Sequence, residues 1–247
     1  MKRFFVFSLT VSLMAAGLQS CMKNDIVDSG AAVSDNAAAI KQYISQNPGT
    51  ATAPLNYSAT NSGLYIAVTK ANPTAKKALL GEEVTFAYTL YDLKNLALDS
   101  SKASSQPFFT FGLNSLLPGL QEGLAILREG EKARLLMPSQ LAFGSQAQTV
   151  FPLPANSPVR FDVELVRSRT EEEQITTYLG STALASSLSL TTPPTNVQQS
   201  TSGLRLIKTV TKPTGATISS GQSVTVNYAG QTLRATAPFD KSNDGSF

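Results

Sequence analysis

The chain has 247 residues, 15% of them charged, with a formal net charge of +3 and no long run of one sign. That length leaves room for one or two domains, and without a clustered basic face there is no footprint for a nucleic acid. There is no histidine and only one cysteine, which removes the commonest general base, the Ser-His and Cys-His nucleophile pairs, most zinc sites and any intramolecular disulfide.

Residues 1–20 read as a secretory signal: Lys2 and Arg3 are basic, and Phe4 to Leu18 is apolar but too short and wrongly flanked for a spanning helix. The lone cysteine, Cys21, follows Leu18-Gln19-Ser20. That tetrad resembles the lipobox of bacterial lipoproteins. The resemblance implies cleavage before Cys21, acylation of its thiol and new amino group, and a membrane-anchored protein in the cell envelope, periplasmic or surface-exposed. Each acyl CH₂ buried in lipid adds about 0.8 kcal/mol of anchoring.

Residues 21–54 are expected to form a tether with a short helix. Met22 to Ser34 is small and polar, Asp35 can cap, and Ile40, Tyr43 and Ile44 recur at helical spacing. Three apolar residues do not hold a helix alone, so it docks or frays.

Residues 55–168 alternate in the manner of strands. Leu64, Ile66 and Val68 share one face, as do Val84, Phe86, Tyr88 and Leu90, and then Phe109, Phe111 and Leu113. Leu117, Leu120, Leu124 and Leu127 change to helical spacing, with Gly130 placed to end the helix. Lys132 to Met137 and Val159 to Val166 return to strand. One helix against an antiparallel sheet predicts an α+β domain, a twisted sheet wrapped on a single helix. Residues 169–199 are expected to hold a second short helix, with Glu171 to Glu173 in its first turn, and an extended Ser-, Thr- and Pro-rich linker from Gly180. Lys76-Lys77 reads as a solvated turn.

Residues 200–247 repeat the start of the domain. At one constant offset and without a gap, Ser62-Gly63-Leu64 matches Ser202-Gly203-Leu204, Pro73-Thr74 matches Pro213-Thr214, Gly81 matches Gly221, and Val84-Thr85 and Tyr88 match Val224-Thr225 and Tyr228. The copy lacks a helix and a closing loop. About 48 residues make a marginal core on their own. The copy is therefore expected to be poorly ordered, packed on another copy, or part of a longer protein.

Leu117 to Met137 is similar to the FKBP-type peptidyl-prolyl isomerases. Pro118-Gly119-Leu120, Glu122-Gly123, Gly130 and Lys132-Ala133-Arg134 keep that family's order, and Leu141-Ala142-Phe143-Gly144 and Leu153-Pro154-Ala155-Asn156 resemble its later loops. The resemblance implies a cofactor-free, metal-free site acting on proline-containing polypeptides, with Tyr88, Asp99 and Phe143 at its centre. Leu98, Phe109, Leu116, Leu117, Leu120, Leu153 and Phe161 fall on pocket positions. In the second copy Tyr228, Phe239 and Asp240 do. Departures are Leu120 where the family often has Trp, Leu98 for Phe, and Phe143 for Tyr.

Three functions stand at this point: an envelope prolyl isomerase assisting the folding of exported proteins, a non-catalytic chaperone or binding module using the same groove, and a structural lipoprotein that spaces or tethers envelope partners.

Overall fold

The computed structural model describes residues 29–101, 106–112, 116–189, 194–210, 214–235 and 237–242. The signal segment, Cys21, Leu113 and Pro213 lie outside these described residues.

The chain opens with α1 (Ser29–Gln46), a ribbon of β1 (Gly49–Thr50) and β2 (Ala53–Pro54), and the strands β3 (Ser58–Ala59), β4 (Tyr65–Lys70), β5 (Glu83–Asp92), β6 (Ala97–Ser100) and β7 (Phe108–Thr110). It continues through α2 (Pro118–Ile126), β8 (Lys132–Met137), a 3-10 turn at Ser139–Leu141 and β9 (Val159–Arg169). Then come α3 (Glu171–Leu179), α4 (Thr182–Leu188), β10 (Val197–Gln199), β11 (Arg205–Ile207), β12 (Ala229–Gly230) and β13 (Asp240–Lys241). Strands β3 to β9 form one antiparallel sheet in the order β3-β4-β8-β9-β5-β6, with β7 also pairing β5. The domain is the α+β sheet-on-helix fold read from the sequence.

The core lies between this sheet and α2. Val84, Phe86 and Leu90 of β5, Leu135 and Met137 of β8, and Phe161, Val163 and Leu165 of β9 face Leu120, Leu124 and Leu127. The helix sits unusually close to β8. A Cβ on Gly119 would lie 2.6 Å from Met137 Sδ, and one on Gly123 would overlap Leu135. The two glycines are four residues apart, so they share one helical face. Their lack of a side chain is what lets the helix reach the sheet.

A second layer forms on the sheet's other face. Ile40 and Tyr43 of α1 are buried against Leu136, with Ile44, Tyr57, Tyr65 and Leu93 around them. Asn36, also buried, bonds Ser139 N–H at 2.6 Å and the Asn156 carbonyl at 2.9 Å. Arg160 Nη1 donates to Tyr43 Oη at 2.7 Å, its guanidinium lies 3.6 Å from the Tyr91 ring centre, and Tyr43 donates to Asn95.

Several local expectations are corrected. Asp35 does not cap α1; it lies inside a helix that starts at Ser29, because Ala31, Ala32, Ala37, Ala38 and Ala39 are strong helix formers. The helix expected there is longer than the three apolar residues suggested, 18 residues, and it docks. Val68 is 47% exposed, because a bulge between Val68 and Lys70 breaks the alternation at the end of β4. Gly130 does not end α2. The helix stops at Ile126 with Leu127 extended, and Gly130 (φ 76°) sits in the turn into β8, donating to the Leu165 carbonyl at 2.7 Å. Lys76 is not simply solvated; it pairs with Glu82 and Glu173. The linker from Gly180 holds α4, with Leu184 and Ala185 buried, and β10.

α3 begins where the three glutamates placed it. Thr170 and Glu173 form a reciprocal capping box. The second unit is sparse: β10 pairs β11 and β12 pairs β13, while Val224 to Tyr228 forms no strand. Its counterpart in the first unit, β5, is held by β9, β6 and β7.

Candidate functional site

β5 is the spine of the site. Its first half pairs β7 and its second half pairs β6, so Tyr88 sits where one neighbour gives way to the other. Tyr88 lies on the core-facing side with Phe86 and Leu90. Asp99 stands opposite Leu90, one diagonal from Tyr88, a separation that a long side chain spans. Leu98 is the extra residue of a β-bulge there, since Leu90 opposes Asp99 and Tyr91 opposes Ala97. The bulge lets Leu98 pack on the core while Asp99 still meets Tyr88.

Tyr88 Oη donates to Asp99 Oδ2 at 2.6 Å. Burial, then the hydrogen bond to Asp99 and its negative charge, push the Tyr88 hydroxyl up to about 12. The phenol therefore stays protonated at neutral pH and keeps its partner. The main chain is fixed as well: Ser101 Oγ accepts the Tyr88 N–H at 3.0 Å.

Around this pair the walls are aromatic and aliphatic. The Tyr88 ring lies 5.9 Å from Phe86 and 5.7 Å from Phe161, and Phe86 meets Phe109 edge-on at 5.7 Å. Phe109, Leu120, Leu153 and Phe161 are buried in the same cluster. Leu98, Leu116, Leu117 and Phe143 are half-buried and pack on it. Thus the residues singled out in the first unit converge: four are buried in the core, and four are half-buried beside Tyr88 and exposed Asp99.

Phe143 and Leu153 belong to the loop between β8 and β9. Asn36 of α1 holds both ends of that loop, at Ser139 and Asn156. Sequence reasoning missed Asn36, because nothing local links residue 36 to residue 139. It missed Phe151, whose ring meets Phe143 edge-on at 5.4 Å. It also missed Ser101, for which a signal existed. With one residue inserted, the internal repeat runs on to pair Asp99 with Asp240 and Ser101 with Ser242.

The second unit repeats this geometry in outline. Tyr228 Oη donates to Asp240 Oδ2 at 2.6 Å, and Ser242 Oγ accepts the Tyr228 N–H at 3.0 Å. The hydrogen bond to Asp240, then desolvation, raises the Tyr228 hydroxyl above its ordinary value. Phe239, however, is 76% exposed. Among the described residues, no group of three His, Cys, Asp or Glu is placed to hold a metal.

Residues 74–166 match the family model of FKBP-type peptidyl-prolyl cis-trans isomerases. The Fkbp12 isomerase of Drosophila melanogaster is 36% identical over 88 residues, which are 35% of this chain and 81% of that protein. The chain belongs to the FKBP-type family. The FKBP-type isomerase FkpA of Aeromonas hydrophila is 38% identical over 108 residues, 43% of this chain and 38% of that protein. FKBP similarity to the FkpA proteins thus spans less than half of their length. The crystal structure of FkpA from Escherichia coli covers 58% of this chain and 64% of its own, at 23% identity and a TM-score of 0.46.

Proposed function

We propose that this FKBP-type chain catalyses cis–trans isomerisation of X–Pro bonds in exported polypeptides, held at a membrane of the cell envelope by a lipid on Cys21. The observation that carries the catalytic reading is the Tyr88–Asp99 pair, 2.6 Å apart, packed against the apolar cluster that holds Phe109, Leu120, Leu153 and Phe161. Rotation about the peptide bond has a barrier of about 18–20 kcal/mol because resonance is lost on the way. The twisted amide is less polar than the planar one, so a dehydrated apolar wall favours it. Only that differential binding accelerates the reaction, and a hundred-thousandfold gain needs about 7 kcal/mol of it. No acid–base pair or metal is required. Tyr88 and Asp99 supply direction: the carboxylate holds the phenol proton, and its remaining lone pairs are free to accept a substrate N–H.

Acceleration of proline-limited refolding tests the reading. The full chain is expected to accelerate it, and Tyr88→Phe and Asp99→Ala each to lower the rate about 10- to 100-fold, the value of a charge-assisted hydrogen bond. A chain without effect, or two variants as fast as the parent, would remove the catalytic reading.

A second reading is a non-catalytic binding module. It draws on Phe143, which has no hydroxyl and packs on Phe151, and on Leu120 as floor. It predicts that the chain suppresses aggregation of a proline-free client without faster isomerisation.

The anchor rests on the Leu18-Gln19-Ser20-Cys21 tetrad. Palmitate labelling that disappears in Cys21→Ser, with release of the protein from membranes, is the expected result. Residues 200–247 are read as a second FKBP-like unit, supported by the repeated Tyr228–Asp240 and Ser242 bonds.

A further inference from the structure

A cavity with an arginine-lined wall lies where the second unit meets the first. Its hairpin tip, Gln231 to Ala235, is the counterpart of the Tyr91 to Asn95 tip in the first unit. It inserts beside α3, α4 and the end of β9, leaving a cavity of about 640 Å³. Arg169 from β9, Gln174 and Tyr178 from α3, Leu184 from α4, and Leu233 and Arg234 from the tip line it.

Charge in this cavity does not balance. Arg169 and Arg234 both donate to Oε1 of one buried carboxylate, Glu83. Arg234 Nη2 is 2.5 Å from that oxygen, and its guanidinium also lies 4.1 Å from the Phe108 ring centre. Neither arginine pairs with any other acidic side chain among the described residues. Among the described residues, two guanidinium groups against one carboxylate leave one surplus positive charge at the wall, with N–H donors beyond those bound to Glu83. The guanidinium fork matches a carboxylate in geometry. A single surplus charge suits a monoanion better than a dianionic phosphate. Beside the arginines, Leu184 and Leu233 give the wall an apolar stretch.

We propose that this cavity binds an alkyl carboxylate, the carboxylate on Arg169 and Arg234 and the aliphatic part on Leu184 and Leu233. Two sources carry that chemistry: the C-terminus of a polypeptide ending in an apolar residue, and a free small acid. None of the site's lining residues is among those packed around Tyr88 and Asp99, and it does not depend on isomerase activity.

Titration calorimetry of the full chain with N-acetyl-leucine, with N-acetyl-leucine amide, and with a short peptide ending in free leucine tests it. The two acids are expected to bind, and the amide about tenfold more weakly or not at all. A peptide tighter than N-acetyl-leucine identifies the polypeptide terminus as the source; equal affinities identify the small acid. Arg234→Met is expected to abolish the preference for acid over amide. Glu83→Gln removes the competing carboxylate and is expected to tighten acid binding severalfold, an effect opposite in sign to simple undocking of the hairpin. Acid and amide binding alike, no binding by either acid, or acid binding that Glu83→Gln weakens would overturn the proposal.

Discussion

Tyr88 and Glu82 are both ionisable side chains whose protonation is set by the neighbours that the fold brings to them. For Tyr88 the neighbour is Asp99, and the hydroxyl is raised to about 12 by burial and by that carboxylate. Isomerisation is therefore expected to show no loss as the pH passes 10.0, the ordinary tyrosine value; a decline centred there would mean that the pair is broken in solution. Glu82 moves the other way. Burial opposes its charge, but bonds from Ser168 Oγ and the Leu79 N–H, with Lys76 nearby, outweigh it and hold the carboxyl below its usual value of 4.5. A carboxylate lowered by folding stabilises the protein above its unfolded value, and that stabilisation is lost as the pH falls through the folded one. Chemical denaturation between neutral pH and pH of about 3 should show this acid loss, and Glu82→Gln should flatten it. The same variant is expected to cost about 1–3 kcal/mol at neutral pH, the value of a buried charge-assisted bond.

Elements are held by closeness as much as by apolar area. α2 meets β8 through Gly119 and Gly123, and a methyl group at residue 123 has no room against Leu135. Gly123→Ala trades a better helix former for overpacking, and about 1–3 kcal/mol of net destabilisation is expected by thermal denaturation. An unchanged or raised Tm would show that α2 shifts freely. α1 is short of apolar residues, yet Ile40 and Tyr43 are almost completely buried on the back of the sheet. Ile40→Ala should cost about 2–5 kcal/mol, with amide exchange quickening across residues 29–46. If exchange there stays unchanged, the docking is not what holds the helix. Because Asn36 bridges Ser139 and Asn156, loosening α1 should also loosen the loop that carries Phe143 and Leu153.

At the scale of the molecule the two units differ in what surrounds the same strand. In the first, β5 has β9, β6 and β7 beside it and α2 beneath. In the second, Val224 and Val226 are 55% and 50% exposed, and Leu204 and Phe239 are more exposed still. Two ion pairs join the units, Arg205 to Glu172 at 2.5 Å and Arg234 to Glu83 at 2.5 Å. The pair on exposed Glu172 is screened by salt and adds little by itself, whereas the pair on buried Glu83 holds only the hairpin tip at Arg234. Limited trypsin digestion is therefore expected to cut after Arg205 or Lys208 well before it cuts within β5, β8 or β9. Equal rates at both places would show that the second unit is as firmly folded as the first.

Much of this was legible along the chain. Alternation placed β5 and β7 and the face that Tyr88 shares with Phe86, and helical spacing placed α2, because both periods are properties of the local backbone. Family resemblance pointed to the residues that pack around Tyr88, from Leu98 to Phe161. What the chain could not disclose was any partner chosen by three-dimensional packing. Asp35 looked like a cap because its neighbours to the left looked like tether, while the alanines on both sides of it carry helix through the stretch. Gly130 suits a helix end or a strand-entry turn equally, and the bond to Leu165 chose the turn. The sequence by itself determined the periodic elements, the internal repeat and the apolar character of the faces around Tyr88, all of which depend on near neighbours. Only the tertiary structure decided the Asn36 clamp, the bulge that turns Asp99 toward Tyr88, and the meeting of Arg169 and Arg234 on Glu83, because each joins residues whose separation along the chain carries no information about their distance in space.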